Sequence, residues 1–311
     1  MKRSAGSVQR APCRSPSVAV QIVGIISAGD MGAAIGNTLA HGGLKIITPL
    51  DGRSELSKTR ASESSMEDIG NIEALVEQAD LVLSVLVPSE ATAIAEAVAS
   101  AMHDTGKTPP FVECNAIAPQ TVEAIGVVIA ETGAAFIDAG IIGTPPKPGA
   151  GRTRFHCSGP DTSVFEALGE HGLDVRRVGS TIGQASGLKM VYAASTKGTY
   201  ALWTELLTAA HAMDLDDALR AELSMGDTSI GDRMFAGIPD TPRRARRWVG
   251  EMKEIALTFG GLGLTPKILE GAAEMFTLES ETPLGDLTSR DPLPDLTDML
   301  ETLVQQAKRE S

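Results

Sequence analysis

Between residue 18 and about residue 181, short runs of apolar, β-branched residues alternate with stretches of helical periodicity. This is the pattern of βαβ units wound into a mainly parallel sheet. It predicts strands over 18–26, 44–50, 81–87, 111–114, 135–139, 154–158 and 174–178. Several of these runs are apolar on both faces, as strands covered by helices above and below must be. After Gly183 the strand signal stops, and helical spacing predicts helices over 184–212, 216–225, 242–259, 266–276 and 296–307. The expected architecture is α/β: a doubly wound Rossmann domain over 18–181, then an all-α domain over 182–311, with a cleft between them for chemistry.

Length supports that division, because 311 residues exceed one ordinary core. The balance of 42% hydrophobic and 22% charged residues is that of a globular protein. A net charge of −13 argues against nucleic acid as a partner, since phosphate contacts need a surplus of Lys and Arg, and leaves a small-molecule substrate. No apolar run approaches the roughly 18 residues of a membrane helix. Cys13, Cys114 and Cys157 are too scattered for a disulfide framework, so a cytoplasmic setting is expected. Residues 1–17 carry four basic groups and no acid, and read as a disordered tail. The rival reading, a transit peptide, suffers from Pro12 and Pro16, which break a helix there. The five histidines show no metal-ligand spacing, and no metal is expected.

The first strand runs into Ser27-Ala28-Gly29-Asp30-Met31-Gly32, a Gly-x-Gly-x-x-Gly turn with Ser in its first position. Gly29 would let backbone approach a pyrophosphate, Gly32 would let the following helix pack on the strand, and free amides at the helix start would receive the anion. About twenty residues on, the next strand ends in Asp51-Gly52-Arg53-Ser54, where a ribose is normally read. Asp51 suits the free 2′-hydroxyl of NAD, or merely opens the turn. Arg53 with Ser54 makes a clamp for the 2′-phosphate of NADP, and NADP is favoured with NAD as the alternative.

These residues resemble the 6-phosphogluconate dehydrogenase-like, or β-hydroxyacid dehydrogenase, superfamily. The resemblance rests on the glycine turn, on Leu86-Val87-Pro88, on Glu113-Cys114-Asn115-Ala116-Ile117-Ala118-Pro119, on Asp138-Ala139-Gly140-Ile141-Ile142-Gly143, and on Gly183-Gln184-Ala185-Ser186-Gly187-Leu188-Lys189. The stretch Arg247-Trp248-Val249-Gly250-Glu251-Met252-Lys253-Glu254-Ile255-Ala256 is similar to a little-characterised branch of it. The resemblance implies Lys189 as acid/base catalyst, cofactor contacts at Leu86, Val87 and Asn115, and substrate contacts at Ile142 and Gly143. Tyr192, Thr196 and Lys197 follow Lys189 at helical offsets and share its face. Lys197 would lower the Lys189 pKa or hold a substrate anion.

Two departures bear on the substrate. The family places Asn three or four residues past the lysine, where this chain has Tyr192 and Ala193, and Ser where this chain has Ile142. Losing such buried partners discriminates strongly against a small hydroxyacid, so a larger or less polar substrate is expected. The reaction implied is hydride transfer between a nicotinamide and a carbinol or carbonyl. Imine reduction and a non-catalytic NADP sensor are the alternatives, the sensor needing the turn but not Lys189. The basic knot Arg243, Arg244, Arg246 and Arg247 either starts a helix or captures a substrate anion. A homodimer is expected, with Met190, Leu202, Leu206, Leu207 and Met213 offered to its interface.

Overall fold

The computed structural model describes residues 20–149, 152–226, 228–288 and 290–310. The basic tail, Cys13 and the first two residues of the expected first strand lie outside the described residues. The chain opens with β1 (Ile22–Ile26), α1 (Asp30–His41), β2 (Lys45–Thr48), α2 (Glu55–Glu63), β3 (Met66–Asp68), α3 (Ile72–Gln78) and β4 (Leu81–Ser84). It continues through α4 (Ala91–Thr105), β5 (Phe111–Glu113), α5 (Pro119–Ala130), β6 (Phe136–Ile142), β7 (Arg154–Ser158), α6 (Ser163–Glu166) and β8 (Asp174–Gly179). The order across the sheet is β3-β2-β1-β4-β5-β6-β7-β8. The first six strands are parallel, β7 reverses against β6, and β8 runs with β7. The order reverses between β1 and β4, and their carboxyl ends flank the crevice where such sheets bind ligands.

Every residue of β4, β5 and β6 is buried, because helices cover both faces of the sheet. One apolar core, with Ile25, Leu39, Val112 and Phe155, fills one face. A second, with Ile26, Leu75, Phe111 and Ile125, fills the other. The sequence misses β3, a three-residue strand at the sheet edge with two exposed positions, too short to display a period. It also stops β6 at residue 139, whereas the strand continues to Ile142 to pair with β7.

The remainder is helical: α7 (Gln184–Ala193), α8 (Thr199–Ala212), α9 (Asp216–Met225), α10 (Thr228–Gly237), α11 (Pro242–Gly261), α12 (Lys267–Glu281) and α13 (Leu296–Glu310). They enclose a third core containing Met190, Trp248, Met252, Ile255, Phe276 and Leu303. The expected single helix over 184–212 is interrupted by a π-helical turn at Ala194–Gly198, and α10 was not expected at all. Of the residues offered to an interface, Met190 and Leu207 are buried in this core. Leu206 packs against it. Leu202 and Met213, also offered, are exposed, and Leu188, Val191 and Tyr192 of α7 are exposed with them.

Candidate active site

The glycine turn leaves the carboxyl end of β1 and enters α1 with Gly29 in the N-cap position and no side chain capping the helix. The amides of Asp30, Met31 and Gly32, at the start of the helix, meet no side-chain cap among the described residues. A β-carbon on Gly32 would lie 2.1 Å from the Ser27 carbonyl oxygen, so only glycine lets α1 sit this close to the strand. A β-carbon on Gly29 would have only the Ser27 hydroxyl nearby, at 3.7 Å, and its surroundings are otherwise open. Ser27 itself holds φ = 83°, the left-handed backbone that a first-position glycine adopts freely. Asp30, whose charge would oppose a phosphate, is paired at 2.6 Å with Arg60 of α2, a partner the sequence did not suggest.

Beyond the end of β2, a cavity of about 360 Å³ is lined by Asp51, Arg53, Gly70, Asn71, Ile72 and Glu73. Arg53 makes no ion pair among the described residues. Ser54 caps α2, its hydroxyl accepting from the Ser57 amide at 3.3 Å. The open cradle at Gly29, the uncapped amides and this cavity fit the pyrophosphate and ribose of a dinucleotide. Asn115 accepts from the Leu86 amide at 2.5 Å and donates to the Ser84 hydroxyl at 3.0 Å, so its side chain ties the ends of β4 and β5 together. Val87 stands 53% exposed beside it.

The second half of the site is anchored by Asp138, buried on β6. Its carboxylate accepts from the amides of Gly183, Ala185 and Ser186 at 3.0–3.1 Å and from the hydroxyls of Ser158 and Ser186. That fixes the start of α7 on the sheet with a charge suited to a helix N-terminus. Gly140 lets the helix settle, since a β-carbon there would meet the Ala185 carbonyl oxygen at 2.7 Å and the Lys189 Cβ at 3.0 Å. Beside Asp138 in register lies Glu113, whose pKa is pushed up to about 8 by burial.

On the helix so placed, Lys189 reaches back to β6 and donates from Nζ to the Ile141 carbonyl at 2.6 Å. Its pKa falls to about 8, first because burial penalises the ammonium and next because the Lys197 charge repels it. Lys197 lies in the π-helical turn, a distortion that recurs at functional sites. It pairs with Glu251 of α11, and Arg247 lies 3.6 Å from the same carboxylate. Burial pushes Glu251 up, but Lys197 and Lys189 outweigh it and hold the carboxyl below its usual range. Three cations thus share one carboxylate. Lys197 also lies 5.8 Å from the centre of the Trp248 ring.

The remaining expected residues divide. Ile142 is buried, and Gly143, at φ = 134°, turns the chain out of β6. Tyr192 is 45% exposed and its hydroxyl has no partner among the described residues. Thr196 spends its hydroxyl on the Ala193 and Tyr192 carbonyls. Glu251 was missed, although the Arg247 and Glu251 spacing of four on an amphipathic helix was visible. No group of three or more His, Cys, Asp or Glu able to hold a metal occurs among the described residues, and none of their helices is long and apolar enough to cross a membrane.

Comparison with known proteins agrees with this geometry. Residues 22–170 match the NAD-binding domain of 6-phosphogluconate dehydrogenase, and residues 210–278 match a domain of unknown function, DUF1932. An uncharacterised 28.5 kDa protein of Methanothermus fervidus is 26% identical over 197 residues, covering 63% of this chain and 74% of that one. A conserved protein of unknown function, described as structurally similar to 3-hydroxyacid dehydrogenases, shares 26% identity at a TM-score of 0.65, over 84% of this chain and 97% of its own. Mycobacterium tuberculosis 3-hydroxyisobutyrate dehydrogenase, solved with L-serine, has the same fold at 14% identity and a TM-score of 0.65, over 92% of this chain and 99% of its own.

Proposed function

We propose that the chain, whose residues 22–170 match the NAD-binding domain of 6-phosphogluconate dehydrogenase, is a member of that family and an NADP-dependent oxidoreductase acting on a carbinol or carbonyl of an organic substrate that carries an anionic group. The observation that carries this reading is Lys189: a desolvated lysine brought to about 8, held on β6 by a 2.6 Å hydrogen bond, within a cluster with spare positive charge.

The dinucleotide would lie across the carboxyl ends of β1 and β4. Its pyrophosphate would sit on the amides at Gly29 to Gly32, its ribose in the Asp51 and Arg53 cavity, with Arg53 reading the 2′-phosphate. When bound, the nicotinamide supplies or accepts the hydride. Lys189 moves the accompanying proton: protonated, it donates to a carbonyl oxygen being reduced; neutral, it accepts from a hydroxyl being oxidised. Lys197 and Arg247 hold the substrate anion, a task that the apolar side chains of Ile142 and Ala193 cannot perform. The exposed apolar residues of α7 and α8, Leu188, Val191, Tyr192 and Leu202, fit the buried face of a homodimer. The division of labour falls near residue 182, with dinucleotide before it and substrate and dimer contacts after it, in a protein of the cytoplasm.

The test is binding of NADPH and NADH by calorimetry to the wild type and Arg53→Ala, followed by turnover on hydroxyacids, ketoacids and imines. NADPH is expected to bind about tenfold tighter than NADH or better, and to lose about 1.5–3 kcal/mol on the substitution. No binding of either nucleotide would sink the reading. Binding without turnover of any class would mark a sensor, and turnover of imines alone a reductase of C=N bonds.

A further inference from the structure

Glu279 lies on α12, a helix packed against α8 and α11, and is fully buried. Neither oxygen of its carboxyl has a hydrogen-bond partner among the described residues. The hydroxyls of Thr204 on α8 and Thr241 just before α11, themselves buried, lie beside it. Both are turned elsewhere: Thr204 donates to the Tyr200 carbonyl at 3.0 Å and Thr241 to the Ile238 carbonyl at 2.9 Å. A hydroxyl has one proton to give, so each threonine offers Glu279 only lone pairs. Lone pairs suit a carboxylic acid, which carries its own proton, and leave a buried carboxylate unanswered.

No cation compensates. The charged groups on the elements around α12 answer to one another: Arg246 of α11 pairs with Asp286, Arg244 with Asp240, Lys197 and Arg247 with Glu251, and His211 of α8 with Asp216 and Glu301. Arg243 lies 3.7 Å from Asp240 and donates to the Asp291 carbonyl. Burial pushes the Glu279 carboxyl up to about 7 against the pull of the two hydroxyls, and no charge enters that shift. Glu251, buried in the same half, is held down because its cations outweigh burial.

We propose that Glu279 is a pH-sensitive switch of the helical half. Neutral, it completes the junction of α8, α11 and α12; ionised, it puts an unanswered charge there and loosens α12 from α11. One turn before it, Phe276 meets the Trp248 ring with centres 5.1 Å apart, and Lys197 of the Lys189 cluster approaches the same ring. The loosening therefore reaches the elements that seat that cluster. The switch does not depend on the redox reading. A glutamate of the unfolded chain titrates near about 4.3. Between there and about 7 the folded form binds the proton more tightly, so stability falls as pH rises across that interval and levels off above it.

Urea unfolding of the full chain from about pH 5.5 to 8, followed by tryptophan fluorescence, tests it, because both tryptophans, Trp203 and Trp248, belong to the helical half's core. Over that range the wild-type unfolding constant is expected to rise about tenfold or more relative to that of Glu279→Gln, which keeps the shape of the neutral acid. The comparison cancels His211, whose ion pairs also weaken as pH rises. Glu279→Leu, without a polar atom, is expected to lose the same slope and serves if the carboxamide does not fold. Without urea, the near-ultraviolet circular dichroism of wild type is expected to change through about pH 7 while that of the variants stays constant. Parallel pH dependence of stability in wild type and variants overturns the proposal. A wild-type spectrum that stays constant also overturns it, by leaving a buried acid that switches nothing.

Discussion

The two halves of the candidate active site are built from different materials. The proposed dinucleotide cradle is made of backbone: three residues, Ser27 to Gly29, join β1 to α1, and what matters at Gly29 and Gly32 is the absence of a side chain. The proton-transfer half is made of side chains drawn from β6, α7, the π-helical turn and α11, and its ion pair joins residues 54 positions apart. The cradle is therefore sensitive to added atoms, and the lysine cluster to altered charge. Different substitutions break each.

If Lys189 carries the proton as proposed, removing it should have the largest effect on turnover. Lys189→Met is expected to lower kcat about 10²- to 10⁴-fold while NADPH affinity stays within about twofold of wild type. An equal loss of NADPH affinity would mean that the lysine belongs to the cofactor's half. On the same proposal, the rate of reduction by the unmodified chain should fall as pH rises through about 8, because the protonated lysine is lost there, and the rate of oxidation should rise through the same pH. Neighbouring charges should move that midpoint in opposite directions. Glu251→Gln removes an attraction for the ammonium and shifts it to lower pH; Arg247→Gln removes a repulsion and shifts it to higher pH. Shifts of the same sign in both variants would refute the electrostatic account.

The cradle offers a sharper internal contrast, because its two glycines are glycines for different reasons. Gly32→Ala drives a methyl group into the Ser27 carbonyl oxygen and should destabilise the domain by about 2 kcal/mol or more, read as a lower thermal midpoint without any ligand. Gly29→Ala has room for its methyl group and should keep the midpoint within about 2 °C. It should still weaken NADPH about tenfold or more by occupying the path of the pyrophosphate. Equal stability losses in both would show that Gly29 is also a packing glycine and not an approach to phosphate.

The same contrast explains what the sequence made legible. The cradle could be read because its parts are contiguous and glycine spacing encodes a turn directly. The parallel strands could be read because buried stretches such as Ile22–Ile26 of β1 and Leu81, Val82 and Leu83 of β4 are apolar runs without a polar break. The register of β6 with β7, which extends β6 to Ile142, depends on a partner strand and left no local mark. The interruption of the long helix at Ala194–Gly198 was equally silent, since a π turn keeps helical spacing on either side. Lys189 and Lys197 stood out as charges on one helical face, but Glu251 looked like any surface acid of an amphipathic helix until folding buried it beside them. Met190 and Leu207 were assigned to an interface because helical spacing predicts the helices of this half but not how they pack, and folding buries both residues in the third core.

One position in the cradle breaks the backbone rule, and it supplies the smallest effect and the finest test. Ser27 stands where a glycine-turn motif begins, and it holds φ = 83°, a region that costs an L-residue roughly 1–2 kcal/mol. Its hydroxyl makes no hydrogen bond among the described residues that would offset the strain. Ser27→Gly is therefore expected to relieve the strain, less the entropy that glycine adds to the unfolded chain, for a net gain of about 0.5–1 kcal/mol in denaturant unfolding. NADPH affinity should be unchanged if the hydroxyl is idle. If Ser27→Gly gains stability and loses affinity together, the hydroxyl touches the dinucleotide, and the strained serine is retained for a contact that the backbone alone does not make.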